Sequence, residues 1–429
     1  MALSYNLKYQ KQNAFAKVVL EKEGEVVIDR QSFRLKGKGA QDQGEVIYFA
    51  EIKDLAIRDE SLVFSTFYKE HYILGGFLNL FDSFLKDFFR VRNEYLADAL
   101  FMKVGMLFHE YDGYIEVTNH FGKSFQKGKC RIQFYEGSIL ILPEKNDCCV
   151  LYFNFLKSHE FDEDEYVLKL SSDDGSVITI SKLGTNFEDV EETLESLLGK
   201  MYEKVVNHLK EVLPDFDAVT LLKLAFVLRE GKCVQVSALK KIHEDLPRKI
   251  EELALQSSDA SLREKIKFLR SKTEDMHFYI GLSLMTKTES RDVQIRSWFL
   301  IALPQYNLVV IGVTSNPHDH GVYFFRIAVE NGDVQEKLSE KIIEVNQVMY
   351  LVKFDMNPLY KDKHLLKKTK YRAALRKLPC LRLLRKSYIG KSVTTDITNF
   401  ENDFERFSKF SKVMTPSKPP RTLERSQIL

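Results

Sequence analysis

The chain has 429 residues, is 44% hydrophobic and 29% charged, and carries a net charge of +2. That length predicts two to four domains, because a single core rarely grows so large, and the composition excludes a disordered or fibrous chain. Five cysteines without C-x-x-C spacing (Cys130, Cys148, Cys149, Cys233 and Cys380) argue against a zinc ribbon or dithiol redox motif and for reduced, buried thiols. The opening MALSYNLKYQKQNAFAK has no apolar leader core, and no stretch reaches the roughly 18 apolar residues of a membrane span. A cytoplasmic protein without a transmembrane segment is expected.

Strand signals dominate the first hundred or so residues. Arg30, Arg34, Lys36 and Lys38 lead into the glycine-rich LKGKGAQDQGE, Leu35 to Glu45. That run lacks the G-x-x-x-x-G-K-[ST] order of a phosphate-binding loop and no helix follows it, so it reads as an inter-strand loop. VIYFAEI and DESLVFSTFYKEHYILG continue the strands. A helix follows in which Phe77, Phe81, Phe84, Phe88, Val91 and Tyr95 recur at three- and four-residue steps and share one face.

The same order then returns. CRIQFYEGSILILPEKNDCCVLYFNFL and DEYVLKLSSDDGSVITISKLG read as short alternating strands, with Lys123, Lys127, Lys129 and Arg131 near their start. TNFE, Thr185 to Glu188, fits a capping box, and Phe187, Val190, Leu194, Leu197, Met201, Val205 and Leu209 line a helix that Pro214 ends. A shift of 109 residues brings Leu74-Gly75 onto Leu183-Gly184 and Phe88-Phe89 onto Leu197-Leu198. Strands, hairpin, Leu-Gly and helix in one order argue for a duplication. Each copy resembles the pleckstrin-homology-like fold, a bent β-sandwich closed by one C-terminal helix.

From Asp215 to Thr273 strand signals stop. LLKLAFVLREG ends at a glycine cap, SALKKIHEDLPRKIEELALQ is split or kinked at Pro247, and SLREKIKFLR follows. This reads as a helical linker. Strands resume in MHFYIGLSLM, VQIRSWFLIALP, NLVVIGVTS and GVYFFRIA, with the single tryptophan, Trp298, in a core strand. A helix with Val334, Leu338, Ile342, Val345 and Met349 on one side completes a third strand-then-helix unit. The tail from Pro416 is polar and proline-containing, which predicts disorder.

The stretch from Lys361 to Lys391 holds twelve Lys or Arg against one acid, Asp362, a local charge of +11 in a chain whose total is +2, so the remainder carries −9. WFLIALP, NLVV, YFFRI, then YRAALRKLPCLRLLRKSYIGKSV and FENDFERF resemble a family of uncharacterised bacterial proteins, over about Phe15 to Phe410. The resemblance supports the fold and brings no activity with it. The expected class is α+β, with residues 1–107 and 108–213 as tandem pleckstrin-homology-like units. Each would be a small antiparallel sandwich or partly open barrel with a C-terminal helix. Residues 214–273 form the linker, 274–414 a divergent unit of the same kind carrying the basic segment, and 415–429 a disordered tail.

Candidate chemistry is sparse. His318 and His320 in NPHDHG form an H-x-H pair, but Asn-Pro and Gly mark a turn, and a metal site needs three or four ligands. HEFDEDE, His159 to Glu165, has neither EF-hand spacing nor a nucleophile beside it, and no G-x-S-x-G elbow occurs. No cofactor is expected. The reading is a non-catalytic intracellular binding or scaffold protein acting on a protein, an anionic lipid surface or a nucleic acid. Lys367, Lys368, Lys370, Arg372, Arg376, Lys377, Arg382, Arg385 and Lys386 are the candidate contacts to an anionic partner. The alternative is an enzyme with an interdomain site, metal-dependent through His318 and His320.

Overall fold

The computed structural model describes residues 3–39, 43–119, 121–256, 258–286, 293–313, 321–327, 334–367 and 369–413. The His318 and His320 turn, Lys368, the centre of the glycine-rich loop and the 415–429 tail lie outside them. The protein is α+β with antiparallel sheets, in two compact units: Met1–Met201 with Lys363–Pro379, and Tyr202–Asp362 with Cys380–Leu429. No helix among the described residues is long and apolar enough to cross a membrane.

The first unit opens with strands β1 (Leu3–Gln12), β2 (Val18–Ile28), β3 (Ser32–Gly37), β4 (Glu45–Tyr48), β5 (Ile52–Arg58), β6 (Ser61–Thr66) and β7 (His71–Gly75), then helix α1 (Phe81–Ala99). They form a seven-stranded sheet in the order β4-β3-β2-β1-β7-β6-β5. β6 and β7 alternate strictly between buried and half-buried residues, as a sheet with one face on a core requires. That core is aromatic: Phe33, Phe64 and Tyr72 from the sheet and Phe49 from the 3-10 turn between β4 and β5 meet Phe77, Phe84, Phe88 and Phe89. Phe88 is fully buried, with edge-on contacts to Phe33 at 5.5 Å and Phe49 at 5.6 Å.

A second set repeats this plan: β8 (Leu107–Thr118), β9 (Ser124–Tyr135), β10 (Ser138–Pro143), β11 (Cys149–Tyr152), β12 (Leu156–Asp162), β13 (Val167–Ser172), β14 (Val177–Ser181) and α2 (Phe187–Val212). Its order, β11-β10-β9-β8-β14-β13-β12, is that of the first sheet. The true offset is 106 residues, since β7 begins at His71 and β14 at Val177, and α1 at Phe81 and α2 at Phe187. Small hydrogen bonds repeat at that spacing. The Tyr5 hydroxyl donates to Asp87 at 2.5 Å and the Tyr111 hydroxyl meets Thr193 at 3.0 Å. The Asn13 carboxamide accepts from the Phe15 and Lys17 amides, and Asn119 from those of Phe121 and Lys123. The 109-residue alignment was three too long because a three-residue slip keeps an amphipathic helix nearly on its own face. Thr185 does not cap α2 directly, because a 3-10 turn over Gly184–Asn186 precedes it.

The second unit continues with α3 (Ala218–Val227), β15 (Cys233–Gln235), α4 (Val236–Leu239), α5 (Leu246–Gln256) and α6 (Ala260–Arg270). Pro247 stands in the first turn of α5, where its missing N–H costs nothing. Strands β16 (Phe278–Thr286), β17 (Val293–Leu303), β18 (Leu308–Val313) and β19 (Val322–Arg326) lead to α7 (Val334–Val352) and α8 (Asn357–Tyr360). α9 (Lys363–Leu366), α10 (Tyr371–Lys377), α11 (Pro379–Ser387), β20 (Tyr388–Ser392) and α12 (Ile397–Val413) follow, of which α9 and α10 belong to the first unit. The sheet runs β15-β16-β17-β18-β19-β20, a plain meander unlike the other two. Its edge strands come from the segment read as a helical linker and from the basic stretch. One core joins α3, α5 and α6 to this sheet and to Phe400, Phe404 and Phe407 of α12.

Phe88→Ala removes a ring enclosed by the first sheet and its helix. Urea unfolding is expected to show a loss of about 3–5 kcal/mol, and a change under about 1 kcal/mol would show that this face is not core.

Candidate functional site

The buried stripe of α1 is interrupted by polar groups. Phe84, Leu85, Phe88, Phe89, Leu96 and Ala97 are buried, and so are Arg92 and Asn93 between them. Arg92 is 1% exposed; its Nε and Nη2 donate to the Asp147 carboxylate at 2.6 and 2.7 Å, and its Nη1 to the Phe49 carbonyl at 3.2 Å. Asn93 donates to the carbonyls of Pro143 (3.1 Å) and Asn146 (3.0 Å) and accepts from the Cys148 amide at 2.9 Å. The helix of the first sheet is thus bonded to the β10–β11 loop of the second. Burial pushes the Asp147 carboxyl up, but the Arg92 guanidinium outweighs it and holds the carboxyl below its ordinary value. Helical spacing placed Val91 and Tyr95 on the buried face; both are half-buried, and Arg92 and Asn93 take the interior.

Part of the basic stretch folds onto this junction. In α10, Tyr371, Ala373, Ala374 and Leu375 are buried, and Tyr371 meets Phe101 edge-on at 5.9 Å. Lys377 donates from Nζ to the Ile52 carbonyl at 2.6 Å. Burial and the charge of Arg92 lower Lys377 to about 8, against the pull of Asp147 and Asp54. Arg372 stands 3.6 Å from Glu51 and 5.8 Å from the Tyr48 ring centre. Arg376 donates to the Tyr68 hydroxyl at 3.3 Å and lies over the Phe67 ring at 5.5 Å. Lys370 lies 5.1 Å from the Tyr371 ring centre.

The eight basic candidates within the described residues therefore have different surroundings, and Lys368 lies outside them. Arg376 and Lys377 are half-buried against the first unit, and Lys370 and Arg372 rest on aromatic rings with their outer faces exposed. Arg385 donates to the carbonyls of Pro358 and Lys361. Lys367, Arg382 and Lys386 are exposed. Sequence showed the charge and not which cations fold back, because that depends on partners some 308 to 325 residues away in the chain.

The remaining candidates have structural surroundings. His159 pairs with Glu195 at 2.7 Å, and Lys169 lies 3.7 Å from Glu160 within the acidic loop region. All five cysteines are free; burial pushes the thiols of Cys130, Cys149 and Cys380 up to about 12, which disfavours a thiolate at neutral pH. Among the described residues no three His, Cys, Asp or Glu side chains group as a metal site. A cleft of about 590 Å³ does open between α1 and the second sheet, and Lys129 and Arg131 are among its lining residues. The sequence matches no protein-family model and no curated protein.

Asp147→Ala would leave the Arg92 guanidinium buried without its carboxylate and is expected to cost about 3–5 kcal/mol in urea unfolding. Lys377 gives a pH signature. Between about pH 8 and the ordinary lysine value of 10.5, the unfolded chain holds a proton that folded Lys377 has released, so its contribution to stability rises with pH across that window. The urea midpoint of wild type relative to Lys377→Met is expected to rise from pH 8 to 10.5. A difference that stays flat would show that folded Lys377 keeps its proton.

Proposed function

We propose that this protein is a non-catalytic binding or scaffold protein, built from tandem pleckstrin-homology-like modules with the domain plan of the bacterial proteins it resembles. Its partner surface includes the exposed cations of residues 361–391, and the partner is an anionic lipid surface or a nucleic acid. The strand order 4-3-2-1-7-6-5 followed by one helix, found twice, supports the module assignment. Fold alone does not assign a ligand. The observation that carries the reading is the division of labour within the basic stretch: Arg376 and Lys377 are engaged internally, while Lys367, Arg382 and Lys386 face solvent. Internal pairing accounts for part of the charge and leaves the rest to an outside polyanion. A polybasic surface gains about 1 kcal/mol per Lys or Arg at an anionic membrane.

Changing Lys367, Arg382 and Lys386 together to Glu tests this without touching the internal contacts. Co-sedimentation with anionic vesicles and gel shift with nucleic acid, both at low salt, are expected to show binding by wild type that the triple variant loses. Affinity falling steeply and linearly with log salt identifies nucleic acid. No binding in either assay would overturn the anionic partner and leave a protein as the partner.

A further inference from the structure

We infer that the cleft between α1 and the second sheet is a binding site for a small soluble anion bearing two or three phosphate groups. Its volume, about 590 Å³, lies in the range of small-molecule sites. Lys86 and Arg90 line it from α1, Lys129 and Arg131 from β9, and Lys182 from the residue after β14. Asp112 and Glu144 are the acids on its wall, so five cations face two carboxylates, a net charge of +3. The walls are held in place, because Asn93 and Pro143 at the lining are joined by the Asn93 side-chain bond to the Pro143 carbonyl. A preformed site loses less ordering entropy when a ligand enters.

Existing pairs hold these cations weakly. Lys86 is 3.6 Å from Glu144, Arg131 is 3.4 Å from Glu110 and Arg90 is 3.1 Å from Asp87; of these six side chains only that of Asp87 is largely covered. Such exposed pairs are weak and easily exchanged for a phosphate, which offers shorter charge-assisted bonds. Lys182 sits 4.6 Å over the Tyr114 ring, and Lys129 has no ion pair among the described residues. A monoanion would leave most of the charge unmet. Cations on α1, on β9 and after β14 match a ligand with more than one anionic centre.

Comparison of the two copies gives independent support. Leu7 pairs with Gly24 and Gly24 with Gly37 in the first sheet; Gly113 pairs with Cys130 and Cys130 with Pro143 in the second. The residues flanking Gly24 are Glu23 and Glu25, whereas those flanking Cys130 are Lys129 and Arg131. In the first copy Glu23 lies 2.8 Å from Lys8 and 2.9 Å from Lys38, so acids and bases balance on that surface. In the second copy Tyr114 and Glu144 stand where Lys8 and Lys38 do, and the strand's cations are left facing the cleft. The backbone tells the same story at one further position. Gly76 after β7 has φ +68°, and its counterpart after β14 is Lys182 at φ +58°. That left-handed conformation suits glycine, so a lysine is kept there against its backbone preference, at the cleft rim.

The test is calorimetric titration of the whole chain with inorganic tripolyphosphate at low salt. Expected is saturable one-to-one binding, weakened at least tenfold by Lys129→Glu with Arg131→Glu. Lys182→Gly, which restores the first copy's residue, is expected to weaken binding severalfold while leaving Tm unchanged or raised. The triple variant of Lys367, Arg382 and Lys386 is expected to bind as wild type does, which separates this site from the proposed partner surface. Absence of saturable binding, a stoichiometry well above one, or an affinity unmoved by the Lys129 and Arg131 changes would overturn the inference. Displacement of tripolyphosphate by vesicles with phosphorylated headgroups would overturn the assignment to a soluble ligand, and its retention supports it.

Discussion

The ion pair of Arg92 and Asp147 is the constraint around which the first unit is arranged. A guanidinium that is 1% exposed needs a counter-charge, and among the described residues its own copy offers it a hydrogen bond to the Phe49 carbonyl. The carboxylate comes from the loop between β10 and β11, 55 residues along the chain. Desolvating one partner of such a pair without the other is costly, so the helix of one copy and the loop of the next are fixed together. Asn93 adds three hydrogen bonds on the next residue. Lys377 then arrives beside a charge of its own sign and settles on the Ile52 carbonyl, where burial and Arg92 both depress its proton affinity. The junction thus brings together four polar side chains, Arg92, Asp147, Asn93 and Lys377, each with a named partner.

Much of this framework was legible in the residues. Strict alternation in β6, β7, β13 and β14 marks one-sided strands, and the phenylalanine spacing of α1 marks a helix. Where the reading slipped, periodicity was the cause. An amphipathic helix looks much alike three residues on, so it fixed the repeat's existence but not its register. Short edge strands were missed for a different reason. β15 has three residues and β20 five, too few for alternation to stand out from the helices beside them. Arg92 did leave a signal, a charged residue at the helical position between Phe88 or Phe89 and Leu96, which only a partner distant in sequence explains.

The two copies keep their small structural bonds and change their charges. Tyr5 and Tyr111 tie sheet to helix alike, and Asn13 and Asn119 shape the same hairpin turn. The surface at the middle of the second strand differs: acids with lysine partners in one copy, bases beside an open cleft in the other. A duplicated frame thus has one face on which acids and bases balance and a matching face with an excess of bases. The proposed phosphate site and the proposed partner surface of the basic stretch are separate uses of positive charge.

The first unit is discontinuous in the chain: it needs Lys363–Pro379, while residues 202–362 belong to the second. This bears on how the protein emerges from the ribosome. The two seven-stranded sheets can pair as soon as their own residues are made, since one draws its strands from residues 3–75 and the other from residues 107–181. The Ile52 carbonyl and the face of Phe101 have to wait for α10, which is synthesised only after the 202–362 segment of the second unit. During that interval the surface beneath α10 is open to water and to other chains, a period in which a chaperone or a neighbouring nascent chain has access that the finished protein denies.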